Sequence, residues 1–574
     1  MNSVRPWVWP FLAAFAVTTL NACKPVVVDD TAYLFHARHI AQHPVQPYDF
    51  ELFWYYQPEP AMNILLPPVL PYWLALGIRL FGENVGLLKL WLFPFMWLLA
   101  VAVHSLFRRF MPFDSLAPTI AILFSPIVLP MLNVMLDVPA LALGLAGVAI
   151  FLNNADSPKW WKVFLAGALC GLAMQTKYTM LFTPLLFPLY ACTRSAKLLL
   201  PAVLALLVAY GLFAAWEFFV FRQAGESHFL HHATEQASAG GLLDKLKAKL
   251  STTRMNSPAL LSQAGILLAG WSVWCLASCT WTPTLRKLSF GLCAVGCLFG
   301  IITLAGTMFL SESSAVILPG FNGGAPRLEW ATLFGAGTAI LGVLTLITLT
   351  FLGWAILPNR STLVFLVGWV LLECSSTALL SPFPAGRRVI GVATSAGFLA
   401  MFLTVRFSRY GAIPVVPRWP KWVLIASGLL LFAVDAWDAR AEKEAIAQVN
   451  QFIPVVQGER VWFNGHWGFQ YYADRAGMVP VIPNRSVLMR GDWLVFPEIP
   501  DDVGFYRPYH GGAKFRIDPA NCRYVAEFIV DDAISATTIP SLYGGTAPIR
   551  GRDHPRLKVV VYRITEDWHP MTAR

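Results

Sequence analysis

Apolar runs of roughly 20 residues recur through about the first 436 of 574 positions, each long enough to cross ~30 Å of hydrocarbon. A peptide group in that hydrocarbon finds no water to bond, so only helices and closed barrels span a bilayer. Runs of this length are helical spans. Composition agrees: 56% of the residues are hydrophobic and 13% are charged, far from a soluble domain. The net charge of +10 then calls for no nucleic-acid partner, because membrane chains collect Lys and Arg on the loops of one face.

The hydropathy predicts an α-helical polytopic protein with about thirteen spans, at 7–22, 86–107, 115–136, 139–153, 161–177, 179–193, 198–221, 258–278, 288–310, 331–357, 361–380, 389–405 and 420–436. With the N-terminus on the cytoplasmic side, Arg108, Arg109, Lys159, Lys162, Arg194, Lys197, Arg286, Lys287, Arg360, Arg406, Arg409, Arg418 and Lys421 share that side, the expected bias. The Pro-rich segment Leu66–Phe81 fits this frame only as a helix lying on the outer surface. Asp29, Asp30, Asp137, Lys177, Arg387 and Arg388 then lie on the outer face. Acids and cations at those helix ends predict a mixed-charge outer cavity, since ionisable groups at a helical bundle usually mark a pathway or a catalytic centre. The alternative for a lone Lys177 is a side chain that snorkels to the interface. Secondary transporters place such groups near the midplane on broken helices, often in two similar halves, and no repeat is visible here.

The first outer loop, 23–85, is rich in aromatics and His, and Thr31 to Gln42 has helical spacing ended by Pro44 and Pro47. His36 and His39 fall one helical turn apart, and Glu226 and His228 stand in a second outer loop. A divalent metal, if one is used, has these four as candidates; ordinary interfacial histidines are the alternative. The sequence fixes no cofactor. Cys275, Cys279, Cys293 and Cys297 are helix-spaced packing groups, and Cys522 stands alone in the tail. The tail, 437–574, opens on a charged helix near Asp438–Asn450 and continues in short strand-like runs at Arg460–Phe463, Trp493–Phe496, Tyr524–Val530 and Lys558–Ile564. That is enough chain for one small extracytoplasmic α/β domain beside a membrane module at 1–436.

Four separated motifs resemble the GT-C membrane glycosyltransferases: the protein O-mannosyltransferases, the aminoarabinose transferases and their bacterial family-39-like relatives. Asp29-Asp30-Thr-Ala-Tyr33 with Ala37 and His43-Pro44 resembles their acidic opening, although Glu is common where Asp30 stands. Leu66-Pro67-Pro68 through Gly82 resembles their Pro-Pro surface segment, with Leu66 in place of the usual His or Lys. Met135-Leu-Asp137-Val-Pro139 resembles the second acidic motif, and Gly171-Leu-Ala-Met-Gln-Thr-Lys177-Tyr178 a Thr-Lys-Tyr element. Pro382–Arg388 matches the late Arg-containing element only loosely.

The resemblance implies a GT-C fold and an inverting transfer of a sugar from a polyprenyl-phosphate donor to a lipid, glycan or protein acceptor at the outer face of the cytoplasmic membrane. It implies Asp29 as general base, Asp30 as an orienting acid, Asp137 as an orienting acid or a contributor to a metal if one is used, Lys177 with Arg387 or Arg388 on the lipid phosphate, and Tyr33 and Tyr178 beside the substrate. A lipid-linked glycan ligase or polymerase shares this chemistry, and a secondary transporter is the reading from a different class.

Overall fold

The computed structural model describes residues 5–571 except 56, 112–113, 236–241, 279–314, 318–326, 382, 409–418, 454–458, 501–505, 509–516, 519, 532–533, 535, 540, 546 and 552–554. The expected span at 288–310 lies outside the described residues. Among those described, seven helices are long and apolar enough to cross a membrane: Val85–Phe110, Ala196–Ala224, Asn256–Ser278, Gly335–Ile356, Ser361–Leu380, Ile390–Phe407 and Pro420–Phe452. Trp7–Ala22, Asp137–Asn153 and Trp160–Met174 are shorter apolar helices. The predicted helical membrane architecture is what the structure shows.

Two expected spans take a different form. The stretch 115–136 is helical only over Leu116–Leu123, then turns through a 3-10 segment at Leu129–Met131 before the helix Asp137–Asn153 begins. Pro126 and Pro130 explain the break, since each removes a helical N–H and crowds the preceding turn. This irregular backbone is buried, so its carbonyls need donors. Asn21 Nδ2 supplies Leu129 O at 2.7 Å, and Lys24 Nζ supplies Pro130 O at 2.8 Å. Likewise 179–193 is a 3-10 helix at Tyr178–Leu185 followed by Leu186–Arg194. Pro184 lies in the first of these segments and Pro188 in the second.

The helix Asp137–Asn153 sets the separation between two charged ends. Its 17 residues place Asp137 roughly 24 Å from Asn153 at ~1.5 Å per residue. Arg108, Arg109, Arg194 and Asn153 gather at one end. Lys177, Arg387 and Asp29 gather with Asp137 at the other.

At the Asp137 end the chain builds a cap. The helix Asp30–Gln42 buries Tyr33, Leu34, His36, Ala37 and Ile40 and packs on the helix Val69–Phe81. A hairpin of Glu51–Trp54 against Gln57–Pro60 follows it. The tail covers both. Its mixed sheet runs in the order Val479–Pro480, Val461–Phe463, Trp493–Pro500, Leu557–Ile564, Cys522–Val530, with Tyr506–Pro508 paired to Trp493–Pro500. The helix Arg440–Phe452 turns Ala441, Ala445, Ile446 and Val449 onto this sheet. Gly468 fixes how near the tail comes: a Cβ there would lie 2.7 Å from Val26 O and 2.1 Å from Glu442 Oε2, so no other residue fits without displacement.

Candidate active site

Five charged side chains from four segments meet where the cap joins the helices. Arg387 Nη1 lies 2.6 Å from Asp29 Oδ2. Lys177 Nζ donates to Asp137 Oδ1. Asp137 also lies in the fields of Arg387 and Arg388, which links the two pairs. Arg387, Lys177 and Asp137 are buried, whereas the Asp29 side chain keeps 23% of its surface exposed and forms the open edge. Arg388 makes no ion pair among the described residues. Its guanidinium lies 4.8 Å from the Phe383 ring centroid, and its buried Nε has no hydrogen-bond partner. Three cations thus face two carboxylates, and the excess positive charge sits in a place screened from water.

Tyr33 projects into the same field from the helix Asp30–Gln42. Burial, then Asp29, pushes its phenol well above the ordinary value, so it stays protonated and able to donate a hydrogen bond. Burial, then Arg387, pushes the Arg388 pKa below its ordinary value.

Asp29 and Asp30 part company. Asp30 is fully buried, 3.3 Å from Lys89 Nζ and accepting from Val27 N at 3.3 Å. Lys89 Nζ also donates to Lys24 O and Pro25 O, each at 2.9 Å. Burial raises the Asp30 pKa against the opposing pull of Lys89 and Lys24. Asp30 therefore holds the loop behind the site, and Asp29 alone opens onto it. The expected orienting role of Asp30 is thus exerted through Lys89 and the loop, away from the open edge. The reason is geometric: Asp30 is the first residue of the helix and Asp29 its cap, so the two leave the backbone in different directions.

That loop is strained next to Asp29. Val28 has φ 47°, a costly setting for a β-branched residue. Tyr55, in the field of Asp29, and Trp467, beside His466, also have positive φ, 57° each. Such residues cost about 1–3 kcal/mol each and persist only where surrounding contacts hold them. The contacts are on hand. Lys24 Nζ reaches Asp435 Oδ2 at 2.6 Å and Tyr543 Oη at 3.1 Å, and Val26 N donates to Tyr472 Oη at 2.8 Å.

The tail delivers one further group. His466 is buried against Trp54 and Tyr55, with ring centroids 4.2 Å apart in both cases, and lies within the field of Asp29. Its Nδ1 is 2.9 Å from Gln470 Oε1, which puts the ring proton there and leaves Nε2 a bare, buried acceptor without a partner. Burial lowers its pKa to about 4. The unfolded chain takes up this proton near pH 6.5 and the folded one only near 4, so stability falls as pH drops through that window, by roughly 3 kcal/mol in all for this group. His466→Asn should flatten that dependence: the melting temperature of the purified protein should drop less between pH 7 and pH 4.5 than that of wild type. An identical drop in both would place His466 in contact with water.

Tyr178 and the candidate metal ligands lie in other networks. Tyr178 Oη is 2.5 Å from His228 Nδ1 and 3.3 Å from Glu217 Oε1. His228 Nε2 and His232 Nε2 are 3.2 Å apart and share Leu65 O. Glu226 pairs with His231 instead, 3.1 Å from its Nδ1. His36 Nε2 faces Pro47 O at 3.0 Å and His39 Nε2 faces Gln46 O at 2.8 Å. The structure does not gather His36, His39, Glu226 and His228 into one ligand set, and among the described residues no group of three His, Cys, Asp or Glu side chains is placed to hold a metal ion. Local backbone carbonyls claim the ring nitrogens first.

No family model matches the chain, and no curated protein matches it. Solved structures do. The archaeal oligosaccharyltransferase AglB from Archaeoglobus fulgidus, in complex with an inhibitory peptide and a dolichol-phosphate, aligns at 12% identity and TM-score 0.45 over 83% of this chain and 65% of its own. This chain thus spans just under two thirds of that enzyme's length. ArnT from Cupriavidus metallidurans, bound to undecaprenyl phosphate, aligns at 15% identity and TM-score 0.38 over 86% of this chain and 93% of its own. Both neighbours are membrane glycosyltransferases.

Proposed function

We propose that this chain is an inverting glycosyltransferase that takes a sugar from a polyprenyl-phosphate donor at the outer face of a cytoplasmic membrane. The observation that carries the reading is the charge cluster: a part-open carboxylate, Asp29, beside three cations whose excess charge suits a phosphate. It sits at one end of the apolar helices, where a lipid-borne donor arrives sideways with its phosphate at the interface. A transporter site would instead lie near the midplane. The motif resemblance supports the same chemistry.

Arg387 holds the Asp29 carboxylate in place. Asp29 takes the proton from an acceptor hydroxyl or amine, whose freed electron pair attacks the anomeric carbon. The bond from that carbon to the phosphate oxygen breaks, and its electrons leave with the lipid phosphate. Arg388 receives that phosphate through its unpaired guanidinium, with Lys177 beside it as a point charge held by Asp137. Attack from the face opposite the leaving group inverts the carbon. His466 Nε2 and the Tyr33 hydroxyl orient acceptor or sugar hydroxyls, one accepting and one donating. Asp30 positions the loop through Lys89. Tyr178 supports the wall behind Lys177 by way of His228. The module at 1–436 carries the reaction, and the tail at 437–574 completes its roof.

The test is release of polyprenyl phosphate from polyprenyl-phosphate sugars by purified protein, scored together with the glycosylated acceptor. Wild type should release it, and Arg388→Gln should lower the rate at least tenfold, since a charge-assisted contact is worth about 1.5–3 kcal/mol. No release from any sugar carried on that lipid would overturn the reading.

A further inference from the structure

At the end of the helices opposite Asp29 lies an open cavity of about 570 Å³. The motifs do not touch it, and the proposed transfer reaction makes no use of it. Three arginines line it: Arg108 and Arg109 in the last turn of Phe93–Phe110, and Arg194 in the last turn of Leu186–Arg194. Arg109 is fixed in place, with Nη2 donating to Tyr190 Oη at 2.6 Å. Arg108 and Arg194 are exposed and make no hydrogen bond or ion pair among the described residues. The carboxylate on hand is Asp156, 3.8 Å from Arg109 and 74% exposed, so it neutralises little.

We propose that this cavity binds a phosphate diester, the headgroup of an anionic membrane phospholipid. Three guanidiniums at helix ends, around one space between spans, form the kind of basic pocket that holds such headgroups at a membrane face. The planar fork of arginine matches two phosphate oxygens at once. Tyr190 holds Arg109 in one orientation, so part of the ordering cost is met before the ligand arrives. Trp7 lines the same cavity from the first apolar helix, a residue type that favours the headgroup level. Soluble phosphate compounds share the chemistry but lack acyl chains to lie along the exposed side chains of that helix.

Native mass spectrometry of the full-length protein in neutral detergent tests this, with phosphatidylglycerol, phosphatidylcholine and glycerol phosphate each added at equal concentration. Wild type should retain phosphatidylglycerol at least tenfold more tightly than either of the others. Arg108→Gln with Arg194→Gln should abolish that preference, while Arg194→Lys should weaken it less. Both sites are exposed, so a melt in parallel verifies that the double variant folds. Equal retention of phosphatidylglycerol by wild type and the folded double variant would overturn the proposal, as would equal retention of phosphatidylcholine. Glycerol phosphate held as tightly as the lipid would keep the phosphate site and overturn the membrane as its source.

Discussion

Asp29→Asn is expected to lower sugar transfer roughly 10²–10⁴-fold while the protein remains inserted and folded, the usual cost of losing a positioned general base. The substitution keeps the size and one acceptor oxygen beside Arg387, 2.6 Å away in the native pair. It removes the charge that accepts the acceptor's proton. On the proposed mechanism the rate should therefore collapse with little change in donor affinity, because that mechanism assigns the phosphate to Arg388 and Lys177. Measuring the rate at saturating donor, with the melting temperature in parallel, separates chemistry from folding. Transfer within about twofold of wild type would remove Asp29 as the base. The same assay on Asp30→Asn should show a loss that tracks melting temperature, since Asp30 acts through Lys89.

The second large effect concerns stability. Lys24→Met should destabilise the protein by about 3–5 kcal/mol, the range for removing one partner of a buried ion pair. The ammonium of Lys24 lies among Asp435, Tyr543 and the Pro130 carbonyl, and its loss strands a fully buried carboxylate. Adding Asp435→Asn should recover part of that loss, because a neutral amide in the same space leaves no charge uncompensated. A double variant less stable than Lys24→Met alone would show that Asp435 is held by Thr538 and Tyr543 without help from the lysine. Loosening this knot should also let Val28 relax from its strained setting, so transfer should fall at temperatures well below melting.

Much of the architecture was readable in the sequence, for a physical reason. Length and apolarity are read along the chain, and the tail's helix at Arg440–Phe452 and its strands at Val461–Phe463, Trp493–Pro500, Cys522–Val530 and Leu557–Ile564 follow local patterns. The proline breaks at Pro126 and Pro184 interrupt spans that mean hydropathy alone runs together. At the site, Asp29, Asp137, Lys177, Arg387 and Arg388 stand out as charges at helix ends, and the structure brings them into one cluster. Their pairing is a matter of distance in space, and nothing local says that Lys177 answers Asp137 or that Asp30 turns away. Lys24, Lys89 and Asp435 left a signal, each an ionisable residue within or beside an apolar run. His466 left none, because only the docking of the tail places it over Asp29.

That docking has a bearing on how the protein is made. Lys24 and Asp435 are 411 residues apart in sequence, and Lys24 and Tyr543 are 519 apart. At the ribosome the loop before Asp29 therefore emerges long before Asp435 and Tyr543. Until Tyr543 has been synthesised and has met Lys24, Asn133 and Asp435, the segment before Asp29 is held only by earlier partners such as Lys89. A chain halted after Arg388 but before Asp435 would own all five charges of the cluster without these ties. The charged end is thus among the last parts of the molecule to be pinned in place.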